Sequence, residues 1–130
     1  MNTAVFLLLR LGLAISMFGH GLVRLSKLHA FSQWMVGSFE KSILPKTLVT
    51  PFSYVLPIAE FVIGFLLLTG LFTKPVLFLC GIVILALLFG TAMIENWEAI
   101  PSQLLHLLFC AILLQFIESN SWALDNLFGK

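Results

Sequence analysis

Charge is scarce in this chain. Seven Lys and Arg and six Asp and Glu are spread over 130 residues, 10% in all, where a soluble domain carries about 25%. The two signs nearly cancel, to a formal +1 at pH 7. That balance offers no basic face of the kind that neutralises phosphates, and nucleic acid is excluded as a partner. Cysteine is equally sparse. Cys80 and Cys110 sit inside apolar runs, in no Cys-x-x-Cys or Cys/His spacing, which argues against a disulfide scaffold and against a metal site. Both read as small apolar filler. No iron-sulfur, flavin or dinucleotide motif occurs, so no bound carrier of electrons and no catalytic residue is assigned from motifs.

Apolar side chains are what the chain has in excess: 60% of it is hydrophobic and the mean hydropathy is +1.07. A helix needs about 20 mainly apolar residues to span a bilayer. Four segments meet or approach that length, at about 4–25, 52–71, 75–94 and 101–117. Pro51, Pro75 and Pro101 each fall where a first helical turn tolerates a missing N–H. The first segment is a permanent span rather than a signal peptide, because Arg10 interrupts it and no small-x-small cleavage site closes it. The expected fold is all-α, a four-transmembrane-helix bundle forming a single integral membrane domain over 1–130.

One connection is long. Within 28–43, Leu28, Phe31, Met35, Phe39 and Ile43 recur at helical spacing, while Gln33, Glu40 and Lys41 fall on the other face. This reads as an amphipathic interfacial or re-entrant helix between the first two spans, a lid over one end of the bundle. Basic residues give little orientation: Arg24, Lys27, Lys41 and Lys46 on the long-loop side stand against Arg10, Lys74 and Lys130 on the other. Four against three places the long loop in the cytoplasm.

Ionisable groups inside spans are costly and tend to face a partner or the bundle interior. At about 1.5 Å of rise per residue, His20, Glu60 and His106 fall at a common depth in the long-loop leaflet, with Arg24 one turn beyond His20 at the rim. In the opposite leaflet Arg10 falls level with Glu118, and a structural ion pair between them is expected. Gly19 and Gly21 flank His20, Gly12 and Ser16 form a small-xxx-small step, and Gly64 follows Glu60 by four, a pattern that permits close helix approach.

The segments LLLRLGLAISMFGHGLVRL, FSQWMVGSFEKSILP and LPIAEFVIGFLLLTGLFTK resemble the DoxX family of small four-helix bacterial membrane proteins. The shared pattern falls on Arg10, His20, Gly21, Arg24, Glu60, Gly64, Gly70, Leu71, Phe72, Thr73 and Lys74, and the resemblance extends over about 5–118. It implies the bacterial inner membrane, with the termini in the cytoplasm, in preference to the one-residue charge count. Some members are subunits of thiosulfate:quinone oxidoreductase and others are linked to thiol redox defence. The family's glycine-rich stretch between the last two helices is replaced here by Glu95-Asn96-Trp97-Glu98-Ala99-Ile100-Pro101.

Two functions follow as expectations. In the first, the chain is a quinone-linked or thiol-redox accessory subunit, with His20, Arg24, Glu60 and His106 as the quinone-binding candidates, quinone as its non-covalent cofactor, and a redox subunit or a second copy as its partner in the bilayer. In the second, it is a non-catalytic scaffold or assembly factor whose polar layer only pins the helices.

Overall fold

The computed structural model describes residues 2–128, and the Lys130 of the charge count lies outside them. Five α-helices follow one another: α1 (Thr3–Leu25), α2 (Leu28–Ser38), α3 (Lys46–Thr69), α4 (Thr73–Met93) and α5 (Ile100–Gln115), with short 3-10 turns at Ile117–Ser119 and Leu124–Phe128. Three of them, α1, α3 and α4, are long and apolar enough to cross a membrane. α5 is apolar but has 16 residues, about 24 Å at 1.5 Å per residue against roughly 30 Å of hydrocarbon. The fourth expected segment, 101–117, thus corresponds to a shorter apolar helix that gives way to a 3-10 turn.

α1 packs on α3, α3 on α4, α4 on α5, and α5 returns to α1. The ring encloses a core of Phe6, Leu13, Met17, Ile63, Leu67, Leu77, Ile84 and Leu113. The most extensive contact is between α1 and α3, and the reason is local. A Cβ on Gly21 would run into the backbone of Phe61, and one on Gly64 into the backbone of Phe18. Each helix thus offers a glycine to the other's phenylalanine three residues away, and the two rings lie 4.9 Å apart between centroids. Gly12 and Gly19 face open space, so close approach explains only two of the four glycines in this pattern.

α3 begins at Lys46, well before Phe52, and Pro51 and Pro57 lie inside it rather than marking its first turn. A proline in a helix removes one i→i−4 bond, and such breaks are tolerated in membrane helices where side chains and neighbours re-satisfy the backbone. Between the two prolines the Ser53 hydroxyl adds a bond of its own, to the Thr50 carbonyl at 2.6 Å, a carbonyl that neither proline frees.

α2 stops at Ser38, short of the expected 43. Ser42 Oγ donates to the Phe39 carbonyl at 2.8 Å and accepts from Leu44 N at 3.2 Å, a serine turn that competes with helix. Pro45 then holds its predecessor out of the helical region. Phe39 and Leu44 still pack with Met35, Val49 and Leu56, but Ile43 swings out and is 85% exposed.

At the other end of the bundle Gly70 closes α3 in the left-handed region, at φ 73°. Phe72 also lies there, at φ 53°, a conformation that disfavours a residue with a Cβ. The Asp125 carboxylate holds it, accepting from Phe72 N at 2.6 Å and Thr73 N at 2.8 Å and so capping α4 from a distant part of the chain. Asp125→Ala is expected to cost about 1 kcal/mol, the usual worth of a lost N-cap, measured as a lower melting temperature in detergent.

Candidate functional site

His20, Arg24, Glu60 and His106 line one cavity of about 200 Å³ whose walls come from α1, α3, α4 and the start of α5. Three helices deliver the four side chains because the Gly21–Phe61 and Phe18–Gly64 contacts bring α1 against α3 at this level, with Glu60 and His20 each one residue before a contact member.

Arg24 Nη1 and Glu60 Oε1 form an ion pair at 2.7 Å; Glu60 is 4% exposed and Arg24 is 26% exposed. The guanidinium also lies over the ring of Phe31 on α2, 4.6 Å from its centroid, a cation–π contact that ties α2 to the site. The two imidazoles are held alike. His20 Nδ1 donates to the Ser16 carbonyl at 2.6 Å and His106 Nδ1 to the Ser102 carbonyl at 2.7 Å, each four residues back on its own helix. That leaves Nε2 of each neutral ring as an acceptor. His106 Nε2 takes the Ser16 hydroxyl at 2.6 Å, which bridges α5 to α1. His20 stands exposed at the rim, its ring edge-on to His106 at 6.3 Å.

Two participants carry roles that spacing did not reveal. Ser16 appears in the sequence only as half of a small-residue step, yet it serves both histidines, through its carbonyl and through its hydroxyl. Gln103 is the other; its Nε2 donates to Thr91 Oγ1 at 2.9 Å, while its Oε1 is buried without a partner. An apolar groove of about 210 Å³ runs beside Gly12, Leu13 and Phe109 and shares His106 and Ser16 with the polar cavity's surroundings. A larger cavity, about 550 Å³, lies away from this cluster, between α2 and the start of α3 beside Glu40 and Lys46.

The expected Arg10–Glu118 pair is not formed. Arg10 is buried and its Nη1 donates to Asn120 Oδ1 at 2.8 Å, with the Asp125 charge nearby. The cause is the end of α5: the helix stops at Gln115, and the following 3-10 turn leaves Glu118 exposed while rotating Asn120 inward. Among the described residues no group of three or more His, Cys, Asp and Glu is close enough to hold a metal ion.

Comparison with curated proteins and with solved structures returns no match. The family model described as DoxX matches residues 5–97, a stretch that includes α1 to α4 with Arg10, His20, Arg24 and Glu60 and ends before α5 and His106. With most of the chain and three of the four cavity side chains inside that match, the chain belongs to the DoxX family.

Proposed function

We propose that the cavity is a headgroup site for a lipid-soluble quinone, and that the chain is a quinone-linked or thiol-redox accessory subunit of the bacterial inner membrane. In this reading α1, α3, α4 and α5 make four crossings within one membrane domain, α2 lies at the interface, and both termini are cytoplasmic. The observation that carries it is Gln103 Oε1, a buried acceptor without a partner beside an open cavity. A polar knot that serves only to fix helix register closes its hydrogen bonds. Gln103 lines that cavity together with Ser102, Arg24 and His20, and such a polar lining suits a ring that carries oxygen on opposite edges.

A quinone, when bound, supplies two-electron, two-proton chemistry. The chain's part is to bind, orient and exchange protons. Arg24 spends one N–H on Glu60 and keeps others to meet a ring oxygen. Glu60 and His20 Nε2 are the proton-accepting groups, and the Ser16–His106 bond holds the α5 wall in place.

A second reading, the non-catalytic scaffold or assembly factor, draws on the fact that Arg24, Glu60, His20 and His106 each already have an intramolecular partner. Mild purification followed by mass spectrometry of extracted lipids and of associated proteins separates the two. The quinone reading expects co-purified quinone in the wild type and at least tenfold less in His106→Ala and His20→Ala proteins that stay folded. Equal retention in those variants, or none in the wild type, leaves the scaffold.

A further inference from the structure

Cys80 on α4 and Cys110 on α5 are free thiols whose sulfurs lie 3.3 Å apart, with Cys110 Sγ donating to Cys80 Sγ. A disulfide bond is about 2.05 Å long, so closure asks for a relative shift of roughly 1 Å between two helices joined by a short connection. Both side chains are sealed from water, Cys80 at 0% and Cys110 at 1% exposure, inside the apolar cluster that also holds Leu13, Ile84 and Leu113. Ile84 follows Cys80 by one turn and His106 precedes Cys110 by one turn, and both of these line the polar cavity. The thiols therefore sit about 6 Å along the helices from that cavity's wall, at 1.5 Å per residue.

We propose that Cys80 and Cys110 are a redox couple that closes reversibly to a disulfide between α4 and α5, oxidised by an uncharged two-electron oxidant that dissolves in the bilayer. Proximity selects the pair and burial selects the oxidant. A charged reagent such as glutathione disulfide would have to enter an apolar core, whereas a quinone or hydrogen peroxide need not shed a charge. In the step the two thiols give up two protons and two electrons and one S–S bond forms. A quinone takes up both protons and both electrons to become the hydroquinone. Peroxide instead converts one thiol to a sulfenic acid with release of water, and attack by the second thiol releases another water. The product covalently joins the two helices that carry His106 and Ile84, so the redox state of the pair constrains one side of the cavity. The inference rests on the α4–α5 geometry and not on the quinone reading of the cavity, since the peroxide route is independent of it.

The test uses the full chain in liposomes, exposed in parallel to a short-tailed quinone, to hydrogen peroxide and to glutathione disulfide, then denatured in acid and alkylated with N-ethylmaleimide. Intact mass is the readout. The reduced wild type takes two maleimides. Oxidation by quinone, by peroxide or by both is expected to give a monomer that takes none and is lighter by two hydrogens, with a higher melting temperature that dithiothreitol reverses; which arm works identifies the oxidant. Cys80→Ser and Cys110→Ser each take one maleimide throughout, and the wild-type result stands without them if either fails to fold. Two alkylatable thiols after both uncharged oxidants, a cross-linked dimer in place of the monomer, or equally fast oxidation by glutathione disulfide each overturns the proposal.

Discussion

Gly64→Leu and Gly21→Leu are expected to yield no well-folded monomer, while Gly19→Ala folds at least as well as the wild type. At Gly64 the atoms in the way are backbone and Cβ atoms of Phe18, and at Gly21 those of Phe61. Such atoms cannot step aside as the tip of a flexible side chain would. Overpacking a well-filled site costs about 1 to 3 kcal/mol when side chains can adjust; here α1 and α3 themselves must separate, and the loss is expected to be about 3 kcal/mol or more per substitution. That is a large part of the roughly 5 to 15 kcal/mol that holds a domain together. Gly19 differs by position alone: a Cβ there meets nothing, and removing a helical glycine gains about 0.5 to 1 kcal/mol. Size exclusion and thermal melting in detergent check all three. A monodisperse Gly64→Leu protein melting within a few degrees of wild type would show that the two helices do not depend on this contact.

The same glycines show how far the sequence could be read. Their spacing announced close helix approach but not which of them faced a neighbour, because small-xxx-small is a property of one helix and contact belongs to two. α1 and α4 are legible to within about two residues: long apolar runs, with the Gly70–Lys74 turn and Pro75 at the start of α4, leave few alternatives. The start of α3 was not, because Pro51 carries the same local signal at the first turn of a helix as it does inside one stabilised by its surroundings. Ile43 failed for a related reason. Helical spacing places it with Phe39, but Ser42 and Pro45 end the helix first, and periodicity says nothing once the helix has stopped.

At the cavity, counting rise per residue brought His20, Glu60 and His106 to one level, and all three line the same cavity. Bond partners were beyond it. Arg24 meets Glu60 across 36 positions, and Ser16 meets His106 across 90; pairings at that range depend on rotation about each helix, which a register shift of one residue changes by about 100°. Arg10 shows the limit most plainly. Glu118 stood at the right level with the right charge, yet the end of α5 turned Asn120 to the arginine.

Arg24→Ala should destabilise the protein more than Glu60→Gln does, although both remove the same ion pair. The asymmetry follows from exposure: Glu60 is 4% and Arg24 26% exposed. Removing the arginine strands a carboxylate in the bundle interior, and breaking a buried pair from one side costs about 3 to 5 kcal/mol. Removing the carboxylate leaves a guanidinium that keeps Phe31 beneath it and can extend its charged end toward the interface. The amide introduced by Glu60→Gln can still accept a hydrogen bond, so a loss near 1 kcal/mol, about the worth of one ordinary hydrogen bond, is expected. The double variant Arg24→Ala/Glu60→Gln should recover most of what Arg24→Ala loses, because it no longer carries an unpaired charge. Chemical or thermal unfolding of the four proteins forms a closed cycle that measures the coupling. Equal losses in the two single variants would mean that Arg24 is as confined as Glu60, and the view of Arg24 as a mobile rim group meeting a ligand from the interface would fall. With Glu60→Gln close to wild type in stability, its quinone retention becomes a clean measurement, because any tenfold loss then reports the chemistry of the carboxylate rather than the integrity of the fold.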